Sequence, residues 1–214
     1  MEENKQDTLV VQKSEQELKS FLTKLIDSKK LPAHIKNVDE AFTIAQMGKE
    51  LGFATMQAFH YIIPIQGRLS LSAKAIGALL RKGGIEFITT EDGVMIYPGD
   101  TTVKPEDSTI KPIDQRTTIK FIRAGLEEIC SFTWNDAKKQ GLTTKDNWIR
   151  MPKEMLYARC LAKGANRIGA DFLLGLYTVE ELADTFNISE TQIRRNDDGS
   201  IKEIIDIDHT EINK

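Results

Sequence analysis

The stretch HYIIPIQGRLSLSAKAIGALLRKGG, residues 60–84, decides the class of fold. Two short runs rich in apolar residues flank Gln66-Gly67, a dipeptide typical of a tight turn, and together they predict a β-hairpin. Pro64 cannot donate a ladder hydrogen bond, so its strand should lie at a sheet edge or carry a bulge. Ser72 then predicts the N-cap of a helix that stops at Gly83-Gly84.

The pattern on either side of this stretch extends the prediction to the whole chain. Apolar residues at helical spacing predict one helix over residues 14–31 and a second one that opens at Asn37. After the glycine pair, IEFITT and VMIYPG around Asp92-Gly93 predict a second hairpin, and TTIKFIR and EEICSFTW predict two more strands beyond a long loop over residues 98–116. Residues from Asn135 to about Arg195 carry a helical pattern. The sequence therefore predicts an α+β fold, a small antiparallel β-sheet of hairpins buttressed by helices.

Composition narrows the classes of function. The chain has 214 residues, of which 40% are hydrophobic and 29% charged, as in a soluble globular protein. We expect a cytoplasmic protein, because there is no long apolar run and no basic-then-apolar leader, and Cys130 and Cys160 form no CxxC pair. The absence of a GxxxxGK[ST] motif and of a GxGxxG motif argues against nucleotide hydrolysis and a dinucleotide cofactor. The histidines are scattered along the sequence, which argues against a metal site. We expect that the protein uses no cofactor and is not an enzyme.

Charge is distributed unevenly along the chain. Residues 111–167 contain twelve Lys or Arg against six Asp or Glu, whereas residues 178–214 contain ten acids against four bases. A basic middle before an acidic end predicts a polyanion-binding surface with a separate tail. We accordingly divide the chain into a disordered N-terminus (1–13), a core domain (14–187) and an acidic C-terminal tail (188–214).

The basic surface is predicted on one helix, within KDNWIRMPKEMLYARCLAKGANR, residues 145–167. Pro152 suits the first turn of that helix. Arg159, Lys163 and Arg167 follow one another at intervals of four, which places them on one side, and no acid interrupts residues 158–170. This pattern fits phosphate binding, and an ordinary solvated face remains the alternative.

Three other functions can be formulated from the sequence. Residues 180–195, EELADTFNISETQIRR, have the spacing of a helix-turn-helix that ends in Arg194 and Arg195, which would indicate a duplex DNA-binding regulator. The run IIDIDHTEI, residues 204–212, could chelate a divalent ion, although alternating Ile and acid is also typical of an exposed strand. A structure-selective nuclease would require magnesium-dependent cleavage, which we do not expect.

The chain also resembles a known family over about residues 38–184. The motifs that carry the resemblance stand in order and with family-like spacing, and they are MQAF (56–59), Ile63, Ile65, Gly67, LSA (71–73), RKGG (81–84), DAKKQGLTTKDNW (136–148), PKEML (152–156), Arg159, Arg167, Asp171 and LLGLYTVEEL (173–182). Together they resemble the RecT family of phage single-strand DNA annealing proteins.

This resemblance implies a Rad52-like core, assembly into rings or helical filaments, and annealing of complementary strands without ATP. It further implies a phage or prophage recombination operon, a bacterial host cytoplasm, and a phage exonuclease as partner. The ligands would be single-stranded DNA and the annealed duplex intermediate.

An annealing protein must hold the DNA backbone while it leaves the base edges free, which calls for cations and stacking surfaces instead of a nucleophile. The predicted backbone contacts are Arg159, Lys163, Arg167, Arg123, Lys120 and Lys145. Tyr61, Arg68 and Trp148 are predicted to support bases or sugars, with burial in the core as the alternative for each aromatic side chain.

Overall fold

The computed structural model describes residues 15–179, 181, 182, 193–195 and 201–204. The helices of this part of the chain are α1 (Glu15–Asp27), α2 (Val38–Glu50), α3 (Thr55–Tyr61), α4 (Ala73–Lys82), α5 (Trp134–Lys139), α6 (Asp146–Arg150), α7 (Pro152–Ile168) and α8 (Ala170–Leu173). Its strands are β1 (Ile62–Ile65), β2 (Arg68–Leu71), β3 (Glu86–Ile96), β4 (Asp114–Arg123), β5 (Leu126–Thr133), β6 (Tyr177–Thr178), β7 (Ile193–Arg195) and β8 (Ile201–Ile204).

Helices α1 and α2 form the N-terminal part of the fold. The helix predicted to open at Asn37 is confirmed, because the Asn37 side chain accepts a hydrogen bond from the backbone N–H of Glu40 at 2.8 Å. The Glu40 carboxylate in turn accepts from the backbone N–H of Lys36 at 2.7 Å. Ser14, where the first helix is predicted to begin, lies outside the described residues, and α1 covers Glu15–Asp27 of that predicted helix.

The decisive stretch folds as its sequence predicts. Strands β1 and β2 pair in antiparallel register around Gln66 and Gly67, whose φ angles of 49° and 73° make the turn. Pro64 lies on β1, the edge strand of a sheet in the order β1-β2-β6, where a missing N–H costs no ladder bond. Ser72 caps α4 by accepting from the backbone N–H of Ala75.

The hairpin predicted at Asp92-Gly93 is wrong, because this dipeptide lies within a single strand of the second sheet. Strand β3 runs through this dipeptide and pairs with β4 on both sides of it, with register shifts between Thr89 and Val94. The shifts form a bulge, in which the Gly93 N–H donates to Oγ1 of Thr117 at 3.0 Å and Nε2 of Gln115 donates to the Gly93 carbonyl at 2.9 Å. These bonds hold the dipeptide beside β4, so the chain reverses only in the following loop over residues 97–113.

Helix α7 packs against the β3-β4-β5 sheet and closes the core. Phe121 of β4 and Leu161 of α7 are both buried, and a Cβ atom at Gly164 would overlap the Phe121 ring. The Cys160 thiol donates to the Cys130 carbonyl at 3.1 Å, which ties α7 to β5. The sheet thus fixes the rotation of α7 about its axis and so determines which side chains point away from the core.

The prediction of a helical pattern up to about Arg195 is wrong in the C-terminal region, where the structure contains strands. Tyr177–Thr178 form β6, which pairs with β2 in parallel, and Ile193–Arg195 form β7, which pairs with Ile201–Ile204 of β8. The backbone hydrogen bonds that each strand makes with its partner strand outweigh the local helical pattern. Both β7 and β8 contain β-branched isoleucine, which favours a strand. The protein is therefore α+β, with helices and small sheets whose pairs are antiparallel except for β2 and β6. Within the described part of the chain, no helix has the length and apolar character to cross a membrane.

Candidate nucleic-acid interface

Two concave surfaces lie beside α7. The first, here named the basic depression, has a volume of about 500 Å³ and lies along the second half of the helix. The second, here named the aromatic cleft, has a volume of about 650 Å³ and lies beside its first turns. The basic depression is lined by Phe132, Asp136, Gln140, Arg159, Lys163, Asn166, Arg167 and Glu181.

The basic depression contains the predicted row of cations. Arg159, Lys163 and Arg167 all line it, because α7 turns its apolar side toward the sheet; Lys163 and Arg167 are exposed and Arg159 is half-buried. The Lys163 ammonium donates to the Ser131 carbonyl at 3.0 Å, and Arg167 forms an ion pair with Glu128 at 2.7 Å. The Glu128 carboxylate raises the pKa of Arg167 by accepting this hydrogen bond, so the guanidinium stays charged.

Two carboxylates at the basic depression are engaged in local capping. Asp136 accepts from the backbone N–H of Thr133, and Glu181 accepts from the backbone N–H of Thr178, each in a reciprocal capping pair. Asn166 is within 3.5 Å of the second oxygen of Glu181. These two acids reduce the positive charge of the depression, whose lining still contains three cations, Arg159, Lys163 and Arg167.

The structure does not bring Arg123 and Lys120 to the basic depression. Arg123 holds both Asp171 oxygens, at 2.8 and 2.7 Å, and also donates to the Ile168 carbonyl at the end of α7. The guanidinium thereby lowers the pKa of Asp171. Lys120 follows the alternation of β4 onto the sheet face opposite Phe121, where it pairs with Glu127 at 2.6 Å.

The remaining predicted contacts are dispersed. Trp148 is 2% exposed and packs between Phe132 and Trp134, so the prediction that it supports bases is corrected, because burial leaves its ring no free face. Lys145 is half-buried at the start of α6, and Arg68 is exposed beside the turn of the first hairpin. Neither residue lines the basic depression.

Tyr61 is the predicted residue that lies in the aromatic cleft. It is half-buried there and makes an edge contact with Phe53 at 5.0 Å between ring centroids. The cleft also contains three cations that sequence reasoning did not select, Lys74, Arg81 and Lys153. The signal for them was weak, because Lys74 and Arg81 look like the ordinary outer side of an amphipathic helix.

Aromatic rings complete the cleft. Phe87 of β3 lies beneath the Arg81 guanidinium at 4.4 Å, and Tyr157 of α7 is half-buried, with burial raising the pKa of its hydroxyl. The other lining residues are His60, Ser72, Ala73, Gly77, Ala78, Thr89, Asp92, Glu154, Met155 and Ala158. The first turns of both α4 and α7 contribute lining residues to this cleft.

The structure bears on two of the alternatives, the helix-turn-helix regulator and the metal site. Arg194 and Arg195 lie on β7 and not at the end of a recognition helix, so the second helix of a helix-turn-helix does not reach them. Asp206, Asp208, His209 and Glu211 of the possible metal site lie outside the described residues. Elsewhere in the described chain no group of three or more His, Cys, Asp or Glu is placed to hold a metal ion.

Comparisons with protein-family models, curated proteins and solved structures yield no match to this chain.

Proposed function

We propose that this protein binds single-stranded DNA and anneals complementary strands without ATP, as the RecT-like motifs imply. The observation that carries the proposal is the convergence of Arg159, Lys163 and Arg167 on one concave surface. On this proposal the sheets and α7 form a Rad52-like core. The partners are further copies of the chain, in a ring or helical filament, and a phage exonuclease that supplies single strands in the host cytoplasm.

The spacing of the cations suits a sugar-phosphate backbone. Residues four apart on a helix are separated by about 6 Å along its axis, so Arg159 and Arg167 are about 12 Å apart in that direction. A strand with B-DNA geometry places a phosphate every ~3.4 Å along the helix axis, so a row of this length parallel to that axis covers about three or four of them. Contacts of this kind fix the backbone and leave the base edges free to pair.

The chemistry of annealing requires no nucleotide. Pairing of complementary strands is downhill once the repulsion between the two backbones is screened, and the protein supplies that screening. Copies arrayed on one strand would present many bases together, so that short matches form cooperatively. Because backbone contacts carry no base information, we expect little dependence on sequence.

The decisive experiment is fluorescence-monitored annealing of complementary oligonucleotides in EDTA without ATP, over a range of protein-to-DNA ratios. We expect a faster rate than in the protein-free reaction, and no signal from a non-complementary pair. A rate equal to the protein-free rate at every ratio contradicts the proposal. Tight preference for a long duplex would favour the regulator, and magnesium-dependent cleavage would favour the nuclease.

A further inference from the structure

Two lining residues of the aromatic cleft form an ion pair. Oδ2 of Asp92, in the bulge of β3, lies 2.7 Å from Nζ of Lys153 in the first turn of α7. The two side chains are 52% and 51% exposed, respectively, and the Asp92 carboxylate raises the pKa of Lys153. Exposed pairs of this kind are weak, because water competes for both partners. An incoming anion can therefore displace Asp92 from the Lys153 ammonium.

The bulge of β3 fixes the position of the Asp92 carboxylate beside Lys153. Gly93 has a φ of 62° and is held by Thr117 and Gln115, so the backbone of the bulge is fixed on β4. A side chain at position 93 would meet Cγ of Lys153 at 2.5 Å, which shows how closely the bulge approaches the lysine. The hydrogen-bonded bulge thus holds Asp92 beside Lys153.

The other residues of the cleft define the ligand that would compete with Asp92. Lys74, Arg81 and Lys153 attract an anion, and the only other acid among the described lining residues is Glu154. Tyr157 and Tyr61 add ring surface to the same cleft, and the Phe87 ring supports the Arg81 guanidinium. Cations beside aromatic rings are the combination that binds a nucleotide, with phosphate on the cations and a base against the rings.

We propose that the aromatic cleft binds one nucleotide unit of a DNA single strand, and that Asp92 holds the Lys153 ammonium until a phosphodiester displaces it. This inference rests on the proposed function and adds a second contact region to the basic depression. Asp92 competes with the phosphodiester for the Lys153 ammonium and so weakens the binding of the strand. Weak, reversible contact lets a strand shift its register while it searches for a match.

The test compares Asp92→Asn with Asp146→Asn, using a labelled oligo-dT and the full chain. Asp146 forms a similarly exposed pair with Arg150 at 2.9 Å within α6, so its replacement makes the same charge change outside the cleft. We expect Asp92→Asn to bind oligo-dT about two- to fivefold more tightly than Asp146→Asn, the factor that corresponds to an exposed ion pair. Equal affinities of the two variants would overturn the inference.

A double-mutant cycle shows whether Asp92 acts through Lys153. In a Lys153→Ala background, Asp92→Asn should leave the affinity for oligo-dT the same as in Lys153→Ala alone, because the ammonium is gone. A gain as large as in the wild-type background means that Asp92 repels DNA only at long range, which also overturns the inference. Circular dichroism of each variant establishes that it is folded.

Free dTMP serves as the probe that separates a strand from a mononucleotide. We expect millimolar dTMP to leave oligo-dT bound, because one nucleotide lacks the contacts of a strand on the basic depression. Displacement by micromolar dTMP would assign the cleft to a free nucleotide and overturn its assignment to a strand. Failure of wild-type protein to bind oligo-dT would refute the proposed function, whereas binding with no effect of Asp92→Asn refutes this inference alone.

Discussion

At the scale of single residues, the cations of the protein differ in what they already contact. Arg167 is 56% exposed in its ion pair with Glu128, so its outer nitrogens can reach a ligand without loss of that pair. Arg123, by contrast, satisfies both Asp171 oxygens and the end of α7, and it stacks 4.9 Å from the Phe172 ring. A guanidinium in such a position stabilises the join between β4, α7 and α8, and removing it would act on the fold.

The row on α7 yields the first prediction. Replacing Arg159, Lys163 and Arg167 together with Ala should flatten the dependence of log K on log salt for oligo-dT by about two, from roughly 0.7 for each lost phosphate contact. Fluorescence anisotropy over a salt series measures this slope. The matched control replaces Lys24, Lys49 and Lys104, three exposed lysines elsewhere, and should keep the wild-type slope. If the folded α7 triple variant also keeps it, the row is an ordinary solvated surface.

His34 gives a prediction about pH. The side chain is 4% exposed, and burial lowers its pKa to about 4. The folded state therefore keeps His34 neutral, while the unfolded chain takes up a proton below about pH 6.5. Its contribution is fully present above that pH and is lost as pH falls toward 4, by up to about 3 kcal/mol from ~1.36 kcal/mol per pKa unit.

Urea unfolding of the wild type and of His34→Leu between pH 7 and pH 4.5 tests this prediction. The free energy of unfolding should fall less steeply over this range in His34→Leu than in wild type, whatever its value at pH 7. A slope in His34→Leu that matches wild type would show that His34 is protonated in the folded protein.

At the scale of elements, the distance between α7 and the sheet depends on one glycine. Gly164 faces the Phe121 ring so closely that a methyl group would overlap it. Phe121 is itself fully buried between α7 and the rest of the core, which leaves it nowhere to move. The position of the basic depression on α7 therefore follows from this close packing.

Gly164→Ala should lower the free energy of unfolding by about 1–3 kcal/mol, because the added methyl group overpacks a filled core. Gly77→Ala is the matched control, since a Cβ atom at that position of α4 meets its nearest neighbours at ordinary distances of 3.5 and 3.6 Å. It should be neutral or stabilising by up to ~1 kcal/mol through helix propensity. Urea denaturation measures both. Equal stabilities would mean that α7 shifts on the sheet without cost.

At the scale of the whole molecule, charge is divided between the core and the C-terminal tail. Truncation after Asn187 removes seven acidic and four basic side chains. On the proposed function this truncation should leave the affinity for oligo-dT equal or higher, because the net change removes negative charge. A collapse of affinity in a truncated but folded protein would mean that Arg194 and Arg195 contact DNA, and the regulator hypothesis would gain.

Much of the fold follows from local sequence. The hairpin around Gln66-Gly67, the caps at Asn37 and Ser72, and the start of α7 at Pro152 all depend on residues within a few positions of one another. The row on α7 follows in the same way from intervals of four. Such features are predictable because turn geometry, capping and helical periodicity act over short separations along the chain.

Only the tertiary structure decided the remaining features, because each depends on a partner far away in sequence. Asp92-Gly93 becomes a bulge and not a turn, since Thr117 and Gln115 on β4 bind its backbone. Trp148 is buried because Phe132 and Trp134 surround it. The aromatic cleft exists where α4, β3 and α7 meet, so its cations and rings lie on one surface only because packing brings these distant segments together.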